Sequence, residues 1–229
     1  MFLECNHVVK RYMSKTAVDG IDLTLEKGKI YAILGPNGSG KTTLMKMIAG
    51  LVKPTSGSIL FNDGEIGKLS KAKIAYMSTE PFYYNFMTVQ DVGEYYSDFF
   101  SDFDMKRYLE MVDRMDLNLK DKTKDLSTGL AAKLKIAATL SRKAELIMLD
   151  EPLNGIDVIA RERIITTILE AADENCSIML SSHLVEELEK IVDYVLFIKK
   201  GKLCLQGEAE TLRIEHNKSI VDLYKEIFA

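Results

Sequence analysis

Gly35-Pro36-Asn37-Gly38-Ser39-Gly40-Lys41-Thr42 gathers the residues of this chain best suited to chemistry. The octapeptide fits GxxxxGK[ST], directly after the apolar run 30–34 and directly before a segment of helical period, the context that a phosphate cradle requires. Glycines let the backbone wrap an anion without Cβ clashes, and successive N–H groups at a helix N-terminus supply a positive concavity. Lys41 is placed to reach the β- and γ-phosphates of a nucleoside triphosphate, and the Thr42 hydroxyl to ligate Mg²⁺. Gly35, Asn37, Gly38, Ser39, Gly40 and Thr43 complete the expected phosphate-binding set.

Such a cradle alone does not choose among kinases, GTPases and motor ATPases. Leu146-Ile147-Met148-Leu149-Asp150-Glu151 sets two acids at the C-terminal end of a buried strand, where ligands collect in open α/β sheets. Asp150 is expected to hold Mg²⁺ through water and Glu151 to polarise the attacking water as general base. The bland alternative is a pair of acids opening a turn at Pro152. His183 follows the apolar run 178–180; taken by itself it reads as a surface histidine.

Positioning these groups takes a sheet. The segments 30–34, 146–149 and 178–180 are continuously apolar, as strands buried on both faces of a parallel sheet should be. Residues 21–26 alternate apolar and polar, which predicts an antiparallel sheet near the N-terminus. Helical period appears in 42–49, 89–100, 105–115, 131–140, 158–172 and 184–192, and Thr88 and Asp91 have capping-box spacing. No strand pattern occurs between about 81 and 142, so a helical insertion between two strands is expected. The predicted fold is α/β: one domain over 1–229, with a core of about 1–80 and 143–229 and a helical part of about 81–142.

The composition, 47% hydrophobic and 28% charged, is that of a folded protein. A net charge of −4 lacks the basic footprint that duplex binding needs, so nucleic acid is not an expected partner. Cys5, Cys176 and Cys204 lie far apart with no CxxC, and read as small apolar residues in a reducing compartment. The N-terminus has neither a basic start nor a long apolar segment, so no secretory signal is expected, and runs such as 194–198 are far shorter than the ~20 residues of a membrane helix.

Leu126-Ser127-Thr128-Gly129-Leu130, upstream of the acidic strand, resembles the LSGGQ signature of ABC ATPases. The order Lys41, Ser127, Asp150 with Glu151, then Asn154-Gly155-Ile156-Asp157, then Ser182-His183 is similar to that family's Walker A, signature, Walker B, D-loop and switch histidine. The resemblance covers nearly the whole chain. It implies a P-loop NTPase core with a mostly parallel sheet, an N-terminal antiparallel β subdomain and an inserted α-helical subdomain. It further implies ATP and Mg²⁺ as cofactors, Ser127, Gly129 and Asp157 as nucleotide-site residues, His183 as γ-phosphate sensor and Tyr12 as the aromatic that stacks on adenine. The expected partners are a second ATPase subunit, identical or not, and an integral membrane permease; the location is cytoplasmic, peripheral on the inner face of the membrane. The pattern looks most like separate ATP-binding subunits of small prokaryotic exporters of peptides, antibiotics or lipids.

Two departures stand out. Thr128 and Leu130 replace the usual Gly and Gln of the signature, and Thr79 in 74–81 stands where the family's metal-contacting glutamine belongs. Thr79 is too short to do everything glutamine does, which leaves a low-turnover nucleotide-binding regulator as a rival to the motor. A soluble ABC protein acting on ribosomes or DNA is a second rival, although those usually fuse two ATPase units or insert a long coiled coil. Phe82, Tyr83, Tyr84 and Phe86 are read either as the permease contact or as core. No appended regulatory domain is expected after the last helix.

Overall fold

The computed structural model describes residues 1–229. The chain opens with β1 (Leu3–Tyr12) and β2 (Lys15–Leu25), enters the central sheet with β3 (Ile30–Leu34), and turns into α1 (Lys41–Ile48). It continues through β4 (Ser56–Phe61), β5 (Gly64–Glu65), α2 (Lys68–Lys71) and β6 (Ile74–Met77). Three helices follow, α3 (Val89–Phe99), α4 (Met105–Arg114) and α5 (Thr128–Leu140), before β7 (Leu146–Asp150). The remainder is α6 (Val158–Leu169), β8 (Ser177–Ser182), α7 (Val185–Leu188), β9 (Tyr194–Lys199), β10 (Lys202–Glu208), α8 (Ala209–His216) and α9 (Ile220–Phe228).

The strands form two sheets: an antiparallel one in the order β2-β1-β4-β5, and a six-stranded one in the order β10-β9-β3-β8-β7-β6. In the larger sheet β9, β3, β8, β7 and β6 run parallel, and β10 pairs antiparallel with β9 at the edge. Alternation along the strands divides the interior into two cores. Tyr31, Ile33, Met148 and Leu196 pack with Leu44, Met45, Met47 and Ile48 of α1 and with the antiparallel sheet. Ala32, Leu34, Ile147, Leu149, Val195 and Phe197 face the helices on the other side. Both faces are covered, which is why these strands read as unbroken apolar runs.

The helices α3, α4 and α5 lie between β6 and β7 and pack with the second of these cores. Thr88 and Asp91 form the reciprocal cap of α3: Thr88 Oγ1 accepts from Asp91 N–H at 3.1 Å and Asp91 Oδ2 from Thr88 N–H at 2.8 Å. Where the insertion rejoins the sheet, buried Arg142 pairs with Asp102 at 3.0 Å, donates to Ile74 O at 3.0 Å and lies 4.1 Å over the Phe100 ring.

Some elements differ from the sequence expectation. Helix α5 begins three residues before 131, because Ser127 caps it, its Oγ accepting from Leu130 N–H at 3.2 Å. The helix expected over 184–192 is a single turn, Val185–Leu188, because Asp193 must turn back to bind Ile30 N–H and feed β9 into the sheet. No helix is long and apolar enough to cross a membrane.

Candidate functional site

Because β3, β8, β7 and β6 are parallel neighbours, their C-terminal ends open on one edge, where α/β sheets bind ligands. The register levels them: Leu34 lies opposite Ser182, Asp150 opposite Ser181 and Met77 opposite Leu149. The loop from Gly35, the His183 turn, Glu151 and the loop from Ser78 therefore start side by side.

The first of these loops is shaped by backbone approach. Gly40 has φ 114°, and a Cβ there would lie 2.4 Å from Ala17 O; at Gly35 it would lie 2.3 Å from Ile198 O. No other residue fits either place. Lys41, the first residue of α1, is 5% exposed and donates from Nζ to Gly35 O at 2.7 Å and Pro36 O at 3.3 Å. The N–H groups of Gly38, Gly40, Lys41, Thr42 and Thr43 have no acceptor within the chain, and Ser39 Oγ is buried without a partner. A nest of unpaired donors at a helix N-terminus fits a triphosphate.

Asp150 is fully buried; its Oδ1 accepts from Ser181 Oγ at 2.6 Å and its Oδ2 from Tyr76 OH at 3.2 Å. Burial, and then the Asp150 charge, hold the Tyr76 hydroxyl well above the usual phenol range, so it stays a donor. Glu151 has a left-handed backbone, φ 51°, fixed by its N–H donating to Ser181 O at 3.2 Å and Ser181 Oγ at 2.9 Å. Its side chain is 8% exposed, with Oε2 2.9 Å from His183 Nδ1. Oε1 lies 3.3 Å from Lys41 Nζ but out of hydrogen-bond alignment and has no other partner. Such strain persists at functional sites when neighbours over-determine it. No cluster of three or more His, Cys, Asp or Glu occurs; the Thr42 hydroxyl and the Asp150 carboxylate are hard oxygen donors, the kind that Mg²⁺ takes beside phosphate and water.

The ABC transporter family model matches residues 18–154, more than half of the chain. The chain belongs to the ABC transporter family. It is 34% identical over 208 residues to the lantibiotic transport ATP-binding protein SrtF of Streptococcus pyogenes, with 90% of each chain covered. Among solved structures it is similar to an ATP-binding subunit of an ABC transporter (TM-score 0.89, 22% identity, 99% of each chain). It is also similar to a dimeric ATP-binding cassette in a post-hydrolysis state bound to ADP and Pi (TM-score 0.81, 20% identity, 90% of this chain and 98% of that one). The chain is thus an ATP-binding ATPase subunit of the ABC transporter type.

Within this ABC ATPase the edge brings together Lys41, Asp150, Glu151 and His183, and leaves other expected site residues apart from them. Ser127 and Thr128 are exposed at the start of α5; the N–H groups of Thr128 and Gly129 have no acceptor in the chain, and their nearest neighbour is the D-loop, a Cβ on Gly129 lying 3.0 Å from Gly155 O. Asp157 caps α6, its Oδ1 accepting from Ala160 N–H at 2.9 Å. Tyr12 is 46% exposed at the tip of the β1–β2 hairpin, with Lys10 Nζ 5.1 Å over its ring, and that hairpin touches the cradle through Ala17 under Gly40. The aromatic set divides: Tyr83 packs against the core, whereas Phe82, Tyr84 and Phe86 are exposed. Phe82 joins Leu51, Tyr95, Phe99 and Phe100 around a mostly apolar cavity of about 270 Å³, away from the phosphate cradle.

Three residues of the site escaped the sequence reading: Ser181 and Tyr76, which hold Asp150 and Glu151, and Lys135 of α5, whose Nζ donates to Ser78 O at 3.2 Å and Thr79 O at 2.7 Å. For Ser181 a cue existed, a serine pair directly after the apolar run 178–180.

Proposed function

We propose that this subunit pairs head to tail with a second ATPase subunit around two Mg-ATP and drives a separate membrane permease that exports a peptide, antibiotic or lipid. The observation that carries the pairing is the presence of two anion-binding helix N-termini in one chain: the cradle before α1 and the exposed start of α5, whose Thr128 and Gly129 N–H groups are unpaired. One cradle covers one triphosphate, so the second donor set serves a partner's nucleotide. Export draws support from the lantibiotic transport named for the Streptococcus pyogenes relative. The subunit works at the cytoplasmic face, held there by the permease.

In this reading Lys41 leaves Glu151 for the β- and γ-phosphates, Tyr12 stacks on adenine, and Asp157 belongs to the facing D-loop. Thr42 and Asp150 would hold a Mg²⁺, which would supply positive charge to offset that of the phosphates. Glu151, fixed in place by Ser181, takes the proton of the attacking water, and His183 holds Glu151 and senses the γ-phosphate. Cleavage removes the bridge between the two subunits, and the pair opens.

Glu151→Gln tests the reading. Turnover falls by roughly a thousandfold, the scale of a lost general base, and the variant elutes as a dimer in Mg-ATP and a monomer without it. A variant that stays monomeric at saturating Mg-ATP refutes the pairing. Thr79 favours one rival, a low-turnover regulator, for which Glu151→Gln leaves the rate unchanged.

A further inference from the structure

At the position where a glutamine would reach the nucleotide site, the chain has Thr79, exposed on the loop after β6. The loop is nevertheless gripped from the other side of the site. Lys135, two turns into α5, donates its ammonium to the main-chain carbonyls of Ser78, at 3.2 Å, and Thr79, at 2.7 Å. An ammonium has three N–H donors, and only these two have acceptors in the chain. Lys135, Thr79, Thr128, Glu151 and Asn154 line one cavity of about 320 Å³. Burial holds the Lys135 ammonium below the usual lysine range, while the Asp150 charge opposes that shift. A partly desolvated cation thus feels the Asp150 charge and shares a cavity with Glu151 while fastening a loop from another segment.

We propose that Lys135 is a positioning residue: by clamping the Ser78 and Thr79 carbonyls to α5 it sets the loop beside the nucleotide and ties its movement to the start of α5, work that a glutamine side chain at 79 would otherwise share. The clamp joins what the cradle holds to what α5 presents through main-chain carbonyls, so it tolerates the short side chain at 79. Only the turnover half of this role rests on the reading under Proposed function; the clamp itself belongs to the ligand-free chain.

The test uses the full chain carrying Lys135→Met, Lys135→Arg, or Lys135→Met with Thr79→Gln. One readout is the rate of chymotrypsin cleavage after Phe82, Tyr83, Tyr84 or Phe86 without nucleotide; the other is ATP turnover resolved into kcat and KM. Lys135→Met is cut about tenfold faster, because cleavage follows the open population and two charge-assisted hydrogen bonds are gone. Its kcat falls about tenfold, while KM for ATP stays within about twofold because the cradle is intact. Lys135→Arg, which keeps the cation and its donors, stays near the natural chain in both. Adding Thr79→Gln to Lys135→Met restores kcat without restoring resistance to cleavage, an outcome that a purely structural lysine would not give. If Lys135→Met does not fold, Lys135→Gln takes its place with the same expected directions. Cleavage at the natural rate, or kcat at the natural value, overturns the role. A natural chain that does not turn over ATP sinks the motor reading instead, and the cleavage rates then decide the clamp alone.

Discussion

At the ends of β3, β7 and β8 the groups meant for chemistry hold one another, and all but His183 are buried: Lys41 bonds two cradle carbonyls and pairs with Glu151, Glu151 reaches the exposed His183, and Asp150 accepts from Ser181 and Tyr76. At the start of α5 the matching residues stand in solvent; Ser127 caps its own helix and the next two N–H groups have nothing to bind. The first region is organised around groups with no partner inside the chain, a buried Ser39 hydroxyl among them, and it holds the Glu151 backbone in the left-handed region. In the proposed pairing the second region is half of a site, to be completed by a partner subunit. On that pairing the first region binds the chain's own nucleotide and the second serves a partner's, so substitutions in the two regions should differ accordingly.

The largest effect on the isolated chain belongs to the first region. Lys41→Ala removes the one buried cation among the phosphate donors and strands the Glu151 carboxylate beside the nucleotide. Lost charge-assisted hydrogen bonds of about 1.5–3 kcal/mol each make ATP binding weaker by at least a hundredfold, read by titration with a fluorescent nucleotide. Unchanged affinity would break the comparison at its strong end, because the triphosphate would then lie elsewhere.

Residue types and order made the first region legible. Strands β3, β7 and β8 show as apolar runs because both faces are covered, and Lys41, Asp150 and Glu151 follow from where those runs end, whereas His183 was singled out only through the resemblance to ABC ATPases. What supports them was not legible, since Ser181 lies 31 residues from Asp150, Tyr76 74 from it, and Lys135 56 from Thr79; only the folded sheet makes neighbours of them. Strand β10 was missed because alternate residues are merely half-covered, which flattens its period, and β4 because it begins Ser-Gly-Ser in solvent. The expected 184–192 helix failed because local period says nothing about where β9 must enter the sheet.

Ser127→Ala sharpens the contrast at intermediate size. Loss of the cap on α5 lowers stability by about 1 kcal/mol, measured by urea denaturation, while ATP affinity of the monomer stays as it was. ATP-dependent pairing in the Glu151→Gln background weakens. If monomer affinity falls along with stability, Ser127 serves its own chain's nucleotide, and the distinction between a whole site and a half site collapses.

The smallest effect on the isolated subunit is expected at Phe86. Its ring is 72% exposed and stacks on Tyr84 at 5.4 Å with 8° between planes, and Tyr84 meets Tyr95 edge-on at 6.2 Å. Phe86→Ser sacrifices one exposed stacking contact, so stability changes by about 0.5–1 kcal/mol and ATP turnover by nothing measurable. Neighbouring Tyr83 is the internal control: it packs against the core, where burial pushes its hydroxyl up to about 12, and Tyr83→Ser should be far more costly to fold. A soluble surface has little reason to keep Phe82, Tyr84 and Phe86 together in water unless something apolar covers them. With the permease co-expressed, Phe86→Ser should reduce the share of subunit recovered in the membrane fraction while leaving the purified ATPase intact. Full recovery with the membrane would show that Phe86 is no part of a docking surface, and a collapse of ATPase in the isolated chain would mean that the ring is part of the fold.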